Sequence, residues 1–181
     1  MGPGRSRNHK SVTLLQGVAG VLCLGAPAAA TDHEVAAFGP DLEACLTEAP
    51  DVAGLEACIG RMSTTCMDSQ DGGHTTLGMT SCLNAEATVW DMFLNAEYKA
   101  MRTHAKAMDA DEAAHFPEFA KRAEALLAAQ RAWIAFRDAE CDLAYAEWGS
   151  GSMRNIAWAD CQMRMTAERA IELRAMREKF E

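Results

Sequence analysis

Cys141-Asp142-Leu143-Ala144-Tyr145-Ala146-Glu147-Trp148-Gly149-Ser150-Gly151-Ser152-Met153-Arg154-Asn155-Ile156-Ala157-Trp158-Ala159-Asp160-Cys161 is the stretch that decides the fold. Its centre, Gly149 to Ser152, consists of turn formers, and both flanks are rich in helix formers. Gly151 stands ten residues from each cysteine. Two antiparallel helices joined at that turn bring both sulfurs to nearly the same height. The pattern recurs upstream. Cys66 and Cys82 flank Asp71-Gly72-Gly73-His74, and Cys45 and Cys58 flank Ala49-Pro50-Asp51. These turns favour three sequential disulfides, Cys45–Cys58, Cys66–Cys82 and Cys141–Cys161, and with them an oxidising compartment.

The first thirty residues agree with that compartment. Arg5, Arg7 and Lys10 form a basic start, Val12 to Leu24 is mostly apolar, and Ala28-Ala29-Ala30 offers small residues for cleavage before Thr31. The apolar run falls short of the roughly 20 residues of a membrane span. Cys23 follows Leu22 where a lipidation signal needs a small residue, so it stands apart from the six paired cysteines. The expectation is a cleaved signal over 1–30, a periplasmic or secreted location, and no membrane attachment after cleavage. Residues 31–181 then form a single domain.

The whole chain carries a net charge of −9, and the signal holds three basic and no acidic residues, so the mature part stands at −12. Such a chain repels nucleic acid and anionic lipid and attracts basic partners.

The mature part reads as all-α, an elongated helical hairpin or bundle of about five helices. Strand-like alternation is missing, while Ala, Leu, Met, Glu and Arg abound. Pro40 suits the start of a short first helix that ends before Pro50. A second runs over 54–67, a long third over 76–108, a fourth from the first turn at Pro117 to about Trp148, and a fifth over 154–179. The third and fourth should form the long hairpin, with the fifth folded back beside it.

The fourth helix carries an unusual stripe. Leu126, Gln130, Trp133, Arg137, Cys141 and Trp148 share one face, which points an amide and a guanidinium toward the core. Buried groups of that kind need hydrogen-bond partners. Asn95 and Glu97 on the antiparallel third helix are the partners expected. The alternative use of Arg137 and Gln130 is a pocket for an anion.

Two runs also resemble a known family. Leu94-Asn95-Ala96-Glu97-Tyr98 resembles the LN-x-x-Y signature of the LprI-type lysozyme-inhibitor-like family. Gln130-Arg131-Ala132-Trp133-Ile134-Ala135-Phe136-Arg137-Asp138-Ala139-Glu140-Cys141 resembles its Q-R-x-W-x-x-[FY]-R-D-x-x-C signature. Cys161, Thr166, Arg169 and Leu173 are similar to its closing pattern, and Gly149-Ser150-Gly151-Ser152 resembles its G-G-S element with serine for one glycine. The resemblance implies a secreted, disulfide-linked helical domain whose functional label comes from a lysozyme-inhibiting member. It makes 76–181 the family core and 31–75 a cysteine-rich N-terminal part. It also marks Asn95, Tyr98, Gln130, Trp133, Arg137, Asp138, Thr166 and Arg169 as buried polar or motif positions of structural character.

These readings converge on a binding protein rather than an enzyme, with no cofactor and no metal. Its expected partner is lysozyme or another basic envelope protein. The loops around 68–76 and 149–152 fall at the same end of the bundle, which makes His74, Ser150, Ser152 and Arg154 the candidate contact residues. The mature histidines, His33, His74, His104 and His115, lack metal-ligand spacing. The competing functions are an envelope interaction or structural protein of the same fold, and a hydrolase or small-ligand binder.

Overall fold

The computed structural model describes residues 1–2 and 27–179, with helical side chains described from Thr31. The export signal expected over 1–30 lies mostly outside the described residues. The described chain forms α1 (Pro27–Glu48), α2 (Val52–Glu56), α3 (Arg61–Ser69), α4 (Thr76–Ala113), α5 (Arg122–Ala146) and α6 (Met153–Glu178). Five of these helices have nine residues or more, and α2 has only five. No strand occurs among the described residues. The cysteines pair as Cys45–Cys58, Cys66–Cys82 and Cys141–Cys161. The all-α, thrice-clipped fold is therefore the one expected.

Several boundaries differ, each for a physical reason. Pro40 does not start α1 but lies inside it. An interior proline forfeits one backbone hydrogen bond at a cost of about 3 kcal/mol. Packing of the preceding turns on α4 offsets that cost: Val35 and Phe38 meet the core, and buried Glu34 accepts the Ser81 hydroxyl hydrogen at 2.6 Å. The second helix is split in two at Gly60, whose φ of +83° suits glycine and interrupts the helical path.

The long helix runs past Met108 to Ala113, giving 38 residues, or about 57 Å. Pro117 opens only a 3-10 turn, Pro117–Phe119. The following helix instead begins at Arg122, because the Asp109 carboxylate accepts the N–H groups of Arg122 at 2.9 Å and Ala123 at 2.8 Å. That bond pair caps α5 from the far end of α4.

α4 packs most extensively on α6, and α5 lies outside the pair, closer to α6 than to α4. The reason is side-chain size. Ala159, Ala167 and Ala170 of α6 are fully buried, which lets the α6 backbone approach. The core between α1, α4 and α6 centres on Trp90, Leu42, Met163 and Leu173. α5 contributes only Leu126, Gln130 and Cys141 as buried residues. Trp148, at the far end of its stripe, is 49% exposed, not buried as the stripe predicted.

Candidate functional site

The turn between α3 and α4 is set by its glycines and by Thr75. A Cβ on Gly73 would run into the carbonyl oxygen of Met67, so only glycine fits that close approach. Thr75 then caps α4, its hydroxyl accepting the Gly78 N–H at 3.1 Å. Cys66–Cys82 ties the two helices together behind this turn. Cys141–Cys161 does the same behind the turn between α5 and α6, where Gly149 takes a φ of +51°.

Two open grooves lie at this end of the bundle. One, about 660 Å³, is bordered by Glu34, Gln70, Asp71, Gly72, Thr75 and Ser81. The other, about 340 Å³, is bordered by Asp142, Tyr145, Asn155 and Trp158. Thr80 and Asn84 line both grooves. The start of α4 therefore separates two adjoining concavities, one beside each disulfide-held turn.

Three of the candidate contact residues sit in those turns, and Arg154 lies in the first turn of α6; none of the four lines either groove. His74 is exposed, with Nε2 3.0 Å from Asp68 Oδ1. Ser150 and Ser152 are exposed at the second turn. Arg154 is half-buried: it donates to the Gly149 carbonyl at 3.3 Å and stacks on Tyr145 at 5.4 Å. Its first task is to hold the turn. The groove residues Asp71, Asn84, Tyr145, Asn155 and Trp158 were not singled out by sequence. They are ordinary helix and turn residues whose grouping depends on which helices meet.

The polar stripe of α5 has partners different from those expected. Gln130 accepts the Arg169 Nε hydrogen at 3.0 Å. Arg137 donates to Asp138 at 2.8 Å and to the Thr166 hydroxyl at 3.4 Å. Both guanidiniums lie over the Trp133 ring, Arg137 at 5.1 Å and Arg169 at 5.9 Å from its centroid. The partner helix is thus α6, because α6 and not α4 faces this part of α5. Asn95 is exposed and bonds Asp91 at 2.8 Å, which corrects its placement among buried polar residues. Glu97 is buried and pairs with Arg177 at 3.0 Å. Tyr98 is half-buried against the core, and its hydroxyl has no hydrogen-bond partner among the described residues. Arg137 and Gln130 are both engaged in these contacts.

Glu34 lies within 4.8 Å of the Cys66 and Cys82 sulfurs. Both sulfurs are joined in the disulfide, so neither is a thiolate donor. The titratable pair whose environment alters it most plainly is Asp109 and Arg122. The Ala123 N–H, then Arg122 through backbone and side chain, hold the Asp109 carboxyl below its ordinary range against a partial opposing effect of burial. Arg122 is raised in turn, first by its hydrogen bond to Glu112. This pair sits where α4 gives way to α5, away from the two grooves. Among the described residues no helix is long and apolar enough to cross a membrane.

A family model described as Lysozyme inhibitor LprI matches residues 66–173, more than half of the chain. Two curated relatives are similar. An uncharacterized protein of Rhizobium meliloti strain 1021 is 31% identical over 105 residues, covering 58% of this chain and 76% of the relative. An uncharacterized 17.7 kDa protein of Rhodobacter capsulatus is 26% identical over 156 residues, covering 86% of this chain and 92% of the relative. No solved structure matches the chain.

Proposed function

The chain belongs to the lysozyme inhibitor LprI family, and we propose that it is an exported protein that binds a basic lysozyme-type muramidase and occludes its cleft. The observation that carries this reading is the bundle end, where two disulfide-held turns border two adjoining grooves. Turns fixed on a rigid scaffold are apt binding elements, since little order is lost on contact. Common animal lysozymes are strongly basic, and a chain of net charge −9 steers toward them. The cleft of such an enzyme holds catalytic carboxylates. Hydrogen-bond donors from His74, Ser150 and Ser152 suit that environment, with Arg154 bracing the second turn. No covalent step is involved, and the chain acts as a plug rather than as an enzyme.

Calorimetric titration of the oxidised protein with a basic animal lysozyme tests the reading. Saturable one-to-one binding that weakens as salt rises is expected. No binding at micromolar concentration in low salt would reject it.

One observation favours a second reading, an envelope interaction protein with another partner. The matched residues Gln130, Trp133, Arg137, Thr166 and Arg169 are all engaged in holding α5 to α6. Family membership thus accounts for the fold without demanding inhibition. Recovery of one endogenous envelope protein in preference to lysozyme, in a pull-down with purified bait, would favour this reading.

A further inference from the structure

α5 is apolar on two sides and covered on one. Its inner side carries Leu126, Gln130 and Cys141. Along the outer side Ala132, Phe136, Ala139, Leu143 and Ala146 follow at alternating spacings of four and three, and every one is exposed. Phe136 is 58% and Leu143 54% exposed. Alternation of that kind is the seam through which one helix receives another. Helices apolar all round are ordinarily enclosed by protein, and a contiguous exposed apolar face marks an interaction site. Alanine at alternate seam positions leaves room for a partner backbone to approach, with Phe136 and Leu143 projecting as anchors.

The borders of the seam indicate what covers it. Glu140 and Glu147 flank it on one side and Asp142 on the other, by their helical positions. None of these three carboxylates enters an ion pair among the described residues. The nearby Arg137 is turned inward to Asp138 and Thr166. A second copy laid parallel on this face would set Glu140 and Glu147 against Asp142, with the exposed Arg131 eleven residues before Asp142 on its border. A cationic helix meets no such penalty, and an apolar centre with a charged rim is the ordinary anatomy of a specific interface.

We propose that the outer face of α5, anchored by Phe136 and Leu143 and bordered by Glu140, Asp142 and Glu147, docks a cationic helix on the surface of the lysozyme partner. The proposal rests on the inhibitor reading above. α5 leads directly into the Gly149–Ser152 turn, so its outer face and the bundle end form one extended contact, with the turns at the cleft and the helix beside it.

The experiment is a kinetic binding series with the oxidised, exported protein and a basic animal lysozyme. Two exposed-site variants are compared with wild type, F136S/L143S and E140Q/D142N/E147Q. The first should speed dissociation and weaken affinity at least about tenfold. The second should slow association and flatten its salt dependence. Unchanged melting temperatures show that both variants fold. Wild-type binding with both variants within twofold of it overturns the proposal while leaving the inhibitor reading intact. Absence of wild-type binding overturns both. Sedimentation showing a wild-type dimer that F136S/L143S dissociates assigns the face to a second copy and overturns the cationic partner.

Discussion

Glu86 Oε2, in the first third of α4, accepts the backbone N–H of Ser63 at 2.7 Å from 23 residues away in the chain. The other oxygen, Oε1, accepts the Gly60 N–H at 2.6 Å and the Trp90 indole N–H at 3.0 Å. Glu86 is fully buried. One carboxylate thus satisfies the open N-terminus of α3 and the deepest aromatic of the core, and a negative group at a helix N-terminus is favoured. Burial of three donors without it would be costly. Glu86→Ala is expected to destabilise the fold by about 2–4 kcal/mol, with hydrogen exchange at Gly60 and Ser63 accelerating first. Urea unfolding and exchange by NMR check it, and a loss below about 0.5 kcal/mol contradicts this role.

The disulfides are the second expectation. Cys141 and Cys161 are 20 residues apart in sequence, and removing their link as C141S/C161S should cost roughly 3 kcal/mol in the chain-entropy view. Thermal melts of the oxidised proteins check the magnitude. Peptide mapping without reduction checks the pairing, and a Cys141 peptide linked to any cysteine but Cys161 contradicts it.

Acid sensitivity follows from the cap on α5. The Asp109 carboxyl has a lower pKa in the folded chain than its ordinary 3.8, first through the Ala123 N–H. The unfolded chain therefore takes up this proton more readily than the folded one. The stabilisation from Asp109 is fully present above the ordinary value and is lost as pH falls through the lowered folded value. Wild type should exceed Asp109→Asn in stability by a constant margin from neutral pH to about 5, with the margin shrinking below that. Urea midpoints across an acid series check the window. A margin that stays flat to the lowest pH, or disappears near neutrality, contradicts it.

Trp133 gives a fourth expectation. Two guanidiniums lie over its ring, and these are themselves tied to Asp138, Thr166, Gln130 and Glu172. Trp133→Leu keeps an apolar side chain but removes the aromatic face, and should loosen α5 from α6 by about 1–3 kcal/mol. Proteolysis within 114–121 and urea unfolding check it. If the α5–α6 contact opens no faster than in wild type, the ring is not a clamp.

The contrast between Cys141 and Gln130 shows what sequence could reveal. Cysteines bracketing turn formers carry their pairing in their spacing, and all three disulfides form as that spacing suggests. Gln130 and Arg137 announced themselves as polar groups on an apolar stripe, but not the helix they face. That depends on whether α4 or α6 packs closer, which small residues such as Ala159 and Ala167 decide across the interface. Glu86 was invisible for a related reason. An isolated glutamate on a long helix looks solvated until the N-terminus of α3 is brought over it. Pro40 misled because local propensity favours it at a helix start, while packing on α4 extends α1 through it. The groove residues Asn84 and Trp158 carried no local signal, whereas the candidate turns were legible from their turn formers and the cysteines that bracket them.

The most direct test of the central claim is residual muramidase activity, measured with a basic animal lysozyme titrated by the oxidised protein. The account predicts a fall toward zero at equimolar or modest excess, weaker in a variant carrying His74→Ala, Ser150→Ala and Ser152→Ala. Full enzyme activity at a many-fold micromolar excess of the folded, disulfide-intact protein would contradict it.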